Sequence, residues 1–115
     1  MNRFEGKKVL VTGAASGIGQ ATAIRFSAEG AHVIIADVNE QGLQATAELM
    51  DQAPKIKPYN ALDNVSSQAL VNEAAEDGLD VVCNISGTFG WGPSENFSLD
   101  EFERIMQINT TSVFA

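Results

Sequence analysis

Cysteine, histidine, tryptophan and tyrosine each occur once in these 115 residues, at Cys83, His32, Trp91 and Tyr59. A lone cysteine cannot close an internal disulfide, and neither it nor His32 has partners at metal-ligand spacing, so no disulfide scaffold and no metal site is expected. Cys83 reads instead as a small apolar residue within a strand. Basic residues are scarce as well: 7 Lys and Arg stand against 15 Asp and Glu, for a formal charge of -8. Without a basic stripe, neither nucleic acid nor an anionic membrane surface is an expected partner. No apolar run approaches the ~20 residues of a membrane span, and the N-terminal residues lack the apolar core of a secretory leader. The expected setting is a reducing one, the cytoplasm.

What is present is organised around Lys8 to Gly19, KVLVTGAASGIG. Val9, Leu10 and Val11 form a continuous aliphatic run ended by a glycine loop, the pattern of an interior parallel strand covered on both faces. Beyond Gly19 the period changes to that of a helix, with Ala21, Ile24 and Ala28 predicted on one face and Gly30 as terminator. Glycines 13, 17 and 19 therefore sit between a strand and a helix N-terminus, where unpaired amides and the positive end of the helix dipole favour a pyrophosphate. A tight turn alone would also use glycines, but the order strand, loop, helix favours the phosphate cradle.

The segment Thr12-Gly13-Ala14-Ala15-Ser16-Gly17-Ile18-Gly19 resembles the TGxxxGIG fingerprint of the short-chain dehydrogenase/reductase family. Its G-x-x-x-G-x-G spacing sets it apart from the general G-x-G-x-x-G dinucleotide motif, and counts against a sugar-nucleotide epimerase. The resemblance implies an α/β fold with a doubly wound, Rossmann-like parallel sheet, here partial, in the strand order 3-2-1-4. It also implies cofactor contacts from Gly13, Ser16, Gly17, Ile18 and Gly19, and from Asp37 and Val38 after the next strand.

A second strand, Ala31 to Ala36, opens beside His32 and ends at Asp37, close to the ~20-residue distance at which an acidic residue grips the adenosine ribose. The Asp37 carboxylate can accept from ribose hydroxyls and repels a 2′-phosphate. Ala14, Ala15 and Val38 supply no cation to neutralise one, so NAD is expected over NADP. Asn39 can cap the helix predicted from Asn39 to Gln52, whose Leu43, Ala47 and Met50 face the core. Pro54 precedes a third strand over Lys55 to Tyr59, and Pro58 suits an edge position. By resemblance an adenine contact follows this strand, at Asn60 or at Asp63. Ser66 or Ser67 is the expected cap of the next helix, and Leu70 with Ala74 its apolar pair.

Leu79 to Asn84 reads as a fourth strand buried on both faces. Asn84-Ile85-Ser86-Gly87 resembles the family's N-N-A-G segment, matching at Asn84 and Gly87, which implies that these two line the nicotinamide ribose site. Thr88 to Phe97 is a loop at the carboxyl ends of the strands, where ligands of open sheets bind, and its Phe89 and Trp91 are candidate substrate contacts. Ser98 to Glu101 reads as a capping box opening a helix, on which Leu99, Phe102, Met106, Asn109 and Val113 share a face. Asn109 is polar on that apolar face, and QINTTSVF resembles the segment of the family's catalytic Asn.

The resemblance also implies a catalytic Ser, and a Tyr with a Lys four residues later. Tyr59 lies in the third strand and position 63 is Asp, so neither matches. Residues 1–115 are therefore expected to be one nucleotide-binding domain truncated before its catalytic segment, inactive alone. In complete form the protein is expected to be a homo-oligomer passing hydride between NAD and a small alcohol or ketone. A non-catalytic NAD-binding or interaction module is the alternative.

Overall fold

The structure, a computed structural model, describes residues 2–115. Strand β1 (Lys8–Thr12) is followed by α1 (Gly17–Ala28), β2 (His32–Asp37), α2 (Glu40–Glu48), β3 (Lys55–Pro58), α3 (Asn64–Ala75) and β4 (Val81–Cys83). A 3₁₀ turn (Ser94–Asn96) then leads to α4 (Leu99–Met106), a π-helical stretch (Gln107–Thr111) and α5 (Ser112–Phe114). The four strands are parallel in the order β3-β2-β1-β4, as the sequence predicts. Leu10 pairs with Ile34 on one side and Val82 on the other, which brings the carboxyl ends of all the strands to one edge.

Val9, Leu10, Val11 and Ile35 are fully buried because helices cover both faces of the central pair of strands. Each such side chain contributes about 1.5–3 kcal/mol relative to exposure. One layer joins Val9, Val11, Ile35 and Leu43; the other joins Leu10, Ile34, Ala36, Leu70 and Ala74. Near the N-terminus, buried Glu29 accepts from Arg3 Nη2 at 2.6 Å and Arg25 Nε at 2.8 Å, while Phe4 meets Phe26 edge-on at 4.7 Å.

Several local expectations are corrected. Helix α1 buries Gly19, Ala23 and Ser27, not the stripe of Ala21 and Ala28; small residues four apart bring its axis close to the sheet. Helix α2 ends at Glu48, short of Gln52, because Leu49 and Met50 donate to carbonyls three residues back and Gln52 N–H turns away to Ser27 Oγ at 3.1 Å. The cap of α3 is Asp63, whose carboxylate accepts from Val65 N–H at 3.0 Å. Ser66 is occupied with Asn60 N–H at 2.9 Å, and Ser67 is buried in the sheet-facing layer. Strand β4 is shorter than expected and only half covered, with Val82 42% exposed, since it forms the sheet edge. Ser98 does cap α4, accepting from Glu101 N–H at 3.1 Å, while the Glu101 carboxylate turns to Arg104 instead of closing the box.

Candidate cofactor-binding site

A cleft of about 820 Å³ opens along the carboxyl edge of the sheet. Of the sequence-predicted residues, Gly13, Ser16, Gly17, Ile18, Gly19, Asp37, Val38, Asn60 and Gly87 line it. Asp63, Asn84 and Asn109 do not.

The glycine loop is shaped from both sides. Gly13 has φ 65°, and a Cβ there would lie 2.8 Å from the backbone nitrogen of Ser86, so this residue lets β1 and the segment after β4 approach closely. A Cβ on Gly19 would strike the Gly13 carbonyl, so the first turn of α1 can fold down on the loop only with glycine there. Below, Thr46 of α2 donates to the Ala14 carbonyl at 2.8 Å and accepts from Gln20 Nε2 at 3.0 Å. Ser16 occupies the N-cap position of α1 without making a capping hydrogen bond, and no acidic residue lies in the helix's first turn. The helix thus turns its N-terminal amides and the Ser16 hydroxyl to the cleft with their hydrogen-bonding capacity unused, the arrangement a phosphate group fits.

Asp37 stands beside this loop. One carboxylate oxygen accepts from Ala15 N–H at 3.1 Å and the other from Asn39 N–H at 3.0 Å. Asn39 Oδ1 itself caps α2, accepting from Gly42 N–H at 3.0 Å, so Asp37 is not spent as the cap. Each Asp37 oxygen keeps a further lone pair for a ligand. Asn60 lines the cleft beyond Asp37, whereas Asp63 lies outside it and caps α3 through one carboxylate oxygen.

The opposite wall is Ile85 to Thr88. Thr12 Oγ1 accepts from Ile85 N–H at 3.1 Å and Ser86 N–H at 3.2 Å, and donates to the Cys83 carbonyl at 3.3 Å. Asn84 turns to the other side of the sheet, toward Leu70 and Ser112. Asn109 sits in the π-helical stretch and is exposed, not buried as its apolar face suggested, because nothing among the described residues covers that side of α4. Its amide nonetheless accepts from Thr88 N–H and donates to Thr88 C=O, both at 2.8 Å. Phe89, 82% exposed, lines the cleft; Trp91, 89% exposed, does not. Cys83 is half-buried beneath this wall, and burial pushes its thiol pKa up, away from a reactive thiolate.

Among the described residues lining the cleft, Arg104 is the one cation, and its Nη2 and Nε donate to the two Glu101 carboxylate oxygens at 3.0 and 3.1 Å. The Glu101 carboxylate hydrogen bond raises the Arg104 pKa further, so the group stays charged. Sequence reasoning did not reach Thr12, Thr46, Tyr59 or Arg104 as parts of this site. A Thr closing β1 beside a glycine loop was the available signal for the first; the others depend on tertiary contacts alone.

The family model described as short chain dehydrogenase matches residues 7–115. The chain belongs to that family. Glucose 1-dehydrogenase of Gluconobacter oxydans (strain 621H) is 43% identical over 119 residues, covering 97% of this chain and 44% of that protein. Levodione reductase of Leifsonia aquatica is 34% identical, covering 97% and 45%. Among solved structures, a short chain dehydrogenase from Mycobacterium smegmatis superposes with a TM-score of 0.91 at 33% identity, over 99% of this chain and 50% of that one. One from Burkholderia cenocepacia J2315, in complex with NADP, gives 0.90 at 31% identity, over 98% and 49%. The chain spans about half the length of the relatives it matches. The family binds nicotinamide cofactors. No helix among the described residues is long and apolar enough to cross a membrane, and no group of three His, Cys, Asp or Glu is placed to hold a metal.

Proposed function

We propose that these residues form the nucleotide-binding part of an NAD-dependent oxidoreductase acting on a small alcohol or ketone. The observation that carries this is the pairing of an uncapped α1 N-terminus with Asp37 across one cleft. The amides after Ser16 take the pyrophosphate, and Asp37 takes the adenosine ribose hydroxyls. Asn60 reaches the adenine while Asp63 holds the helix behind it. Gly87 allows the second ribose to approach the wall that Thr12 and Asn109 hold. When bound, the dinucleotide exchanges a hydride with the alcohol or ketone carbon. The Ser, Tyr and Lys that the family resemblance implies for proton transfer are not among residues 1–115, so the catalytic segment lies elsewhere in the working protein.

NAD is favoured over NADP because a 2′-phosphate at Asp37 meets a carboxylate, with Arg104 already engaged by Glu101. The exposed apolar side chains Leu99, Phe102 and Met106 of α4 support a homo-oligomer for the complete protein, and the single, unpaired Cys83 fits a reducing cytoplasm. The test is reduction of NAD and of NADP by the full protein that carries these residues, over a panel of secondary alcohols and polyols. Turnover with NAD favoured supports the reading. Tight NAD binding without turnover on any alcohol, in a protein shown to lack a Tyr-x-x-x-Lys segment, turns it into a binding module.

A further inference from the structure

Tyr59 and Ser86 follow the two outer strands of the sheet, β3 and β4, yet the Tyr59 hydroxyl and Ser86 Oγ are 2.5 Å apart. The tyrosine ring reaches across by packing on the layer of Leu10, Ile34, Ala36 and Leu70. Its backbone amide donates to the Asp37 carbonyl at 3.1 Å. One residue therefore ties the strand end that carries Asp37 to the Ile85–Thr88 wall. Both Tyr59 and Ser86 also border a second void, of about 50 Å³, on the α3 side of the sheet. The buried Ser67 Oγ beside that void has no hydrogen-bond partner. Because open space backs the pair, close packing does not fix the Ser86 side chain, and its bond to Tyr59 does.

We propose that Tyr59 is a positioning residue, whose hydroxyl holds the Ser86–Thr88 wall at the spacing required by the nicotinamide half of the cofactor. The proposal rests on the cofactor reading above. Asp37 lies on the β2 side of the glycine loop and the wall on the β4 side. A dinucleotide with its adenosine ribose at Asp37 and its pyrophosphate at α1 thus lays its second nucleoside on that wall. Thr12 and Asn109 anchor the wall by its backbone; Tyr59 anchors it by a side chain.

The experiment measures NADH and AMP affinity in the full protein and in its Tyr59→Phe, Ser86→Ala and doubly substituted forms. Tyr59→Phe keeps the ring packing and the bond to Asp37, so the fold is retained; Ser86→Ala breaks the same contact from the other side. Either change raises the Kd for NADH about three- to tenfold, as loss of one partly buried hydrogen bond does. The double form is no weaker than the singles, because one contact is lost in all three. AMP, which occupies only the Asp37 side, keeps its affinity to within about twofold. Equal weakening of NADH and AMP, an additive double form, or unchanged NADH affinity in both single variants overturns the proposal while leaving the cofactor reading intact. A parent protein that binds neither ligand overturns both.

Discussion

The Asn109 side chain and the Thr88 backbone form a reciprocal pair, with Oδ1 accepting the Thr88 N–H and Nδ2 donating to the Thr88 carbonyl, each at 2.8 Å. The pair joins the π-helical stretch to the cleft wall, across the loop that connects β4 to α4. A Cβ at Gly87 would stand 3.4 Å from the same Oδ1, an ordinary van der Waals contact, so the pair itself does not demand glycine there.

Asn109→Ala removes two hydrogen bonds at an exposed position, so it lowers stability by about 1–2 kcal/mol. Asn109→Asp is worse than a half loss, because a carboxylate oxygen then faces the Thr88 carbonyl. Chemical denaturation of the three proteins checks the order: parent, then Asn109→Ala, with Asn109→Asp at or below it. An Asn109→Asp form as stable as the parent would mean that the donor half of the pair contributes nothing.

Asp37→Ala removes both the carboxylate that discriminates against a 2′-phosphate and the acceptor for Ala15 N–H. The ratio of kcat/KM for NAD over NADP in the full protein falls about tenfold, most of it through weaker NAD binding; that equals about 1.4 kcal/mol. An unchanged ratio sinks the carboxylate argument, as does a parent that already prefers NADP.

Glu29 gives the pH dependence a direction. Hydrogen bonds from Arg3, and next from Arg25, hold its carboxyl pKa down to about 2 against an ordinary 4.5. A depressed folded value means a contribution that is complete above about pH 4.5 and is lost as pH falls toward 2. Both arginines are more than half exposed, so salt screens part of the effect. The stability difference between the parent and Glu29→Gln is therefore largest above pH 5 and shrinks on acidification. Thermal unfolding from pH 6 to 2.5 reads this directly, and a difference that grows toward low pH contradicts it.

Residues 1–115 expressed alone leave Val82 and the β4 edge open. An unpaired apolar edge templates association. The isolated segment is expected to self-associate in sedimentation experiments and to show no NAD-dependent alcohol oxidation, with Val82→Lys reducing the association. Turnover by the purified segment, free of longer species, would falsify the placement of the catalytic groups outside it.

The sheet was legible because its signals are local. Val9 to Val11 and Ala31 to Ala36 carry unbroken apolar runs, and glycines mark where each strand gives way to a helix. Pro58 marked the outer strand for the same kind of reason, since an edge tolerates a missing N–H. Asp63 was harder: one residue type serves both as an adenine contact and as a helix cap, and the cap bond to Val65 N–H and its place outside the cleft appear only in three dimensions. The face of α1 was misread because close approach to a sheet selects small residues such as Gly19 and Ala23, which carry little apolar periodicity. Thr46 and Tyr59 act on the site through partners 32 and 27 residues away, a separation no local pattern encodes.

The most direct measurement is a crystal structure of the full protein grown with NAD. The pyrophosphate is expected on the backbone amides after Ser16, with the adenosine ribose hydroxyls on Asp37 and the second ribose beside Gly87. Density for NAD elsewhere, such as the cavity lined by Lys8, His32 and Lys55 at the opposite end of the strands, would contradict it.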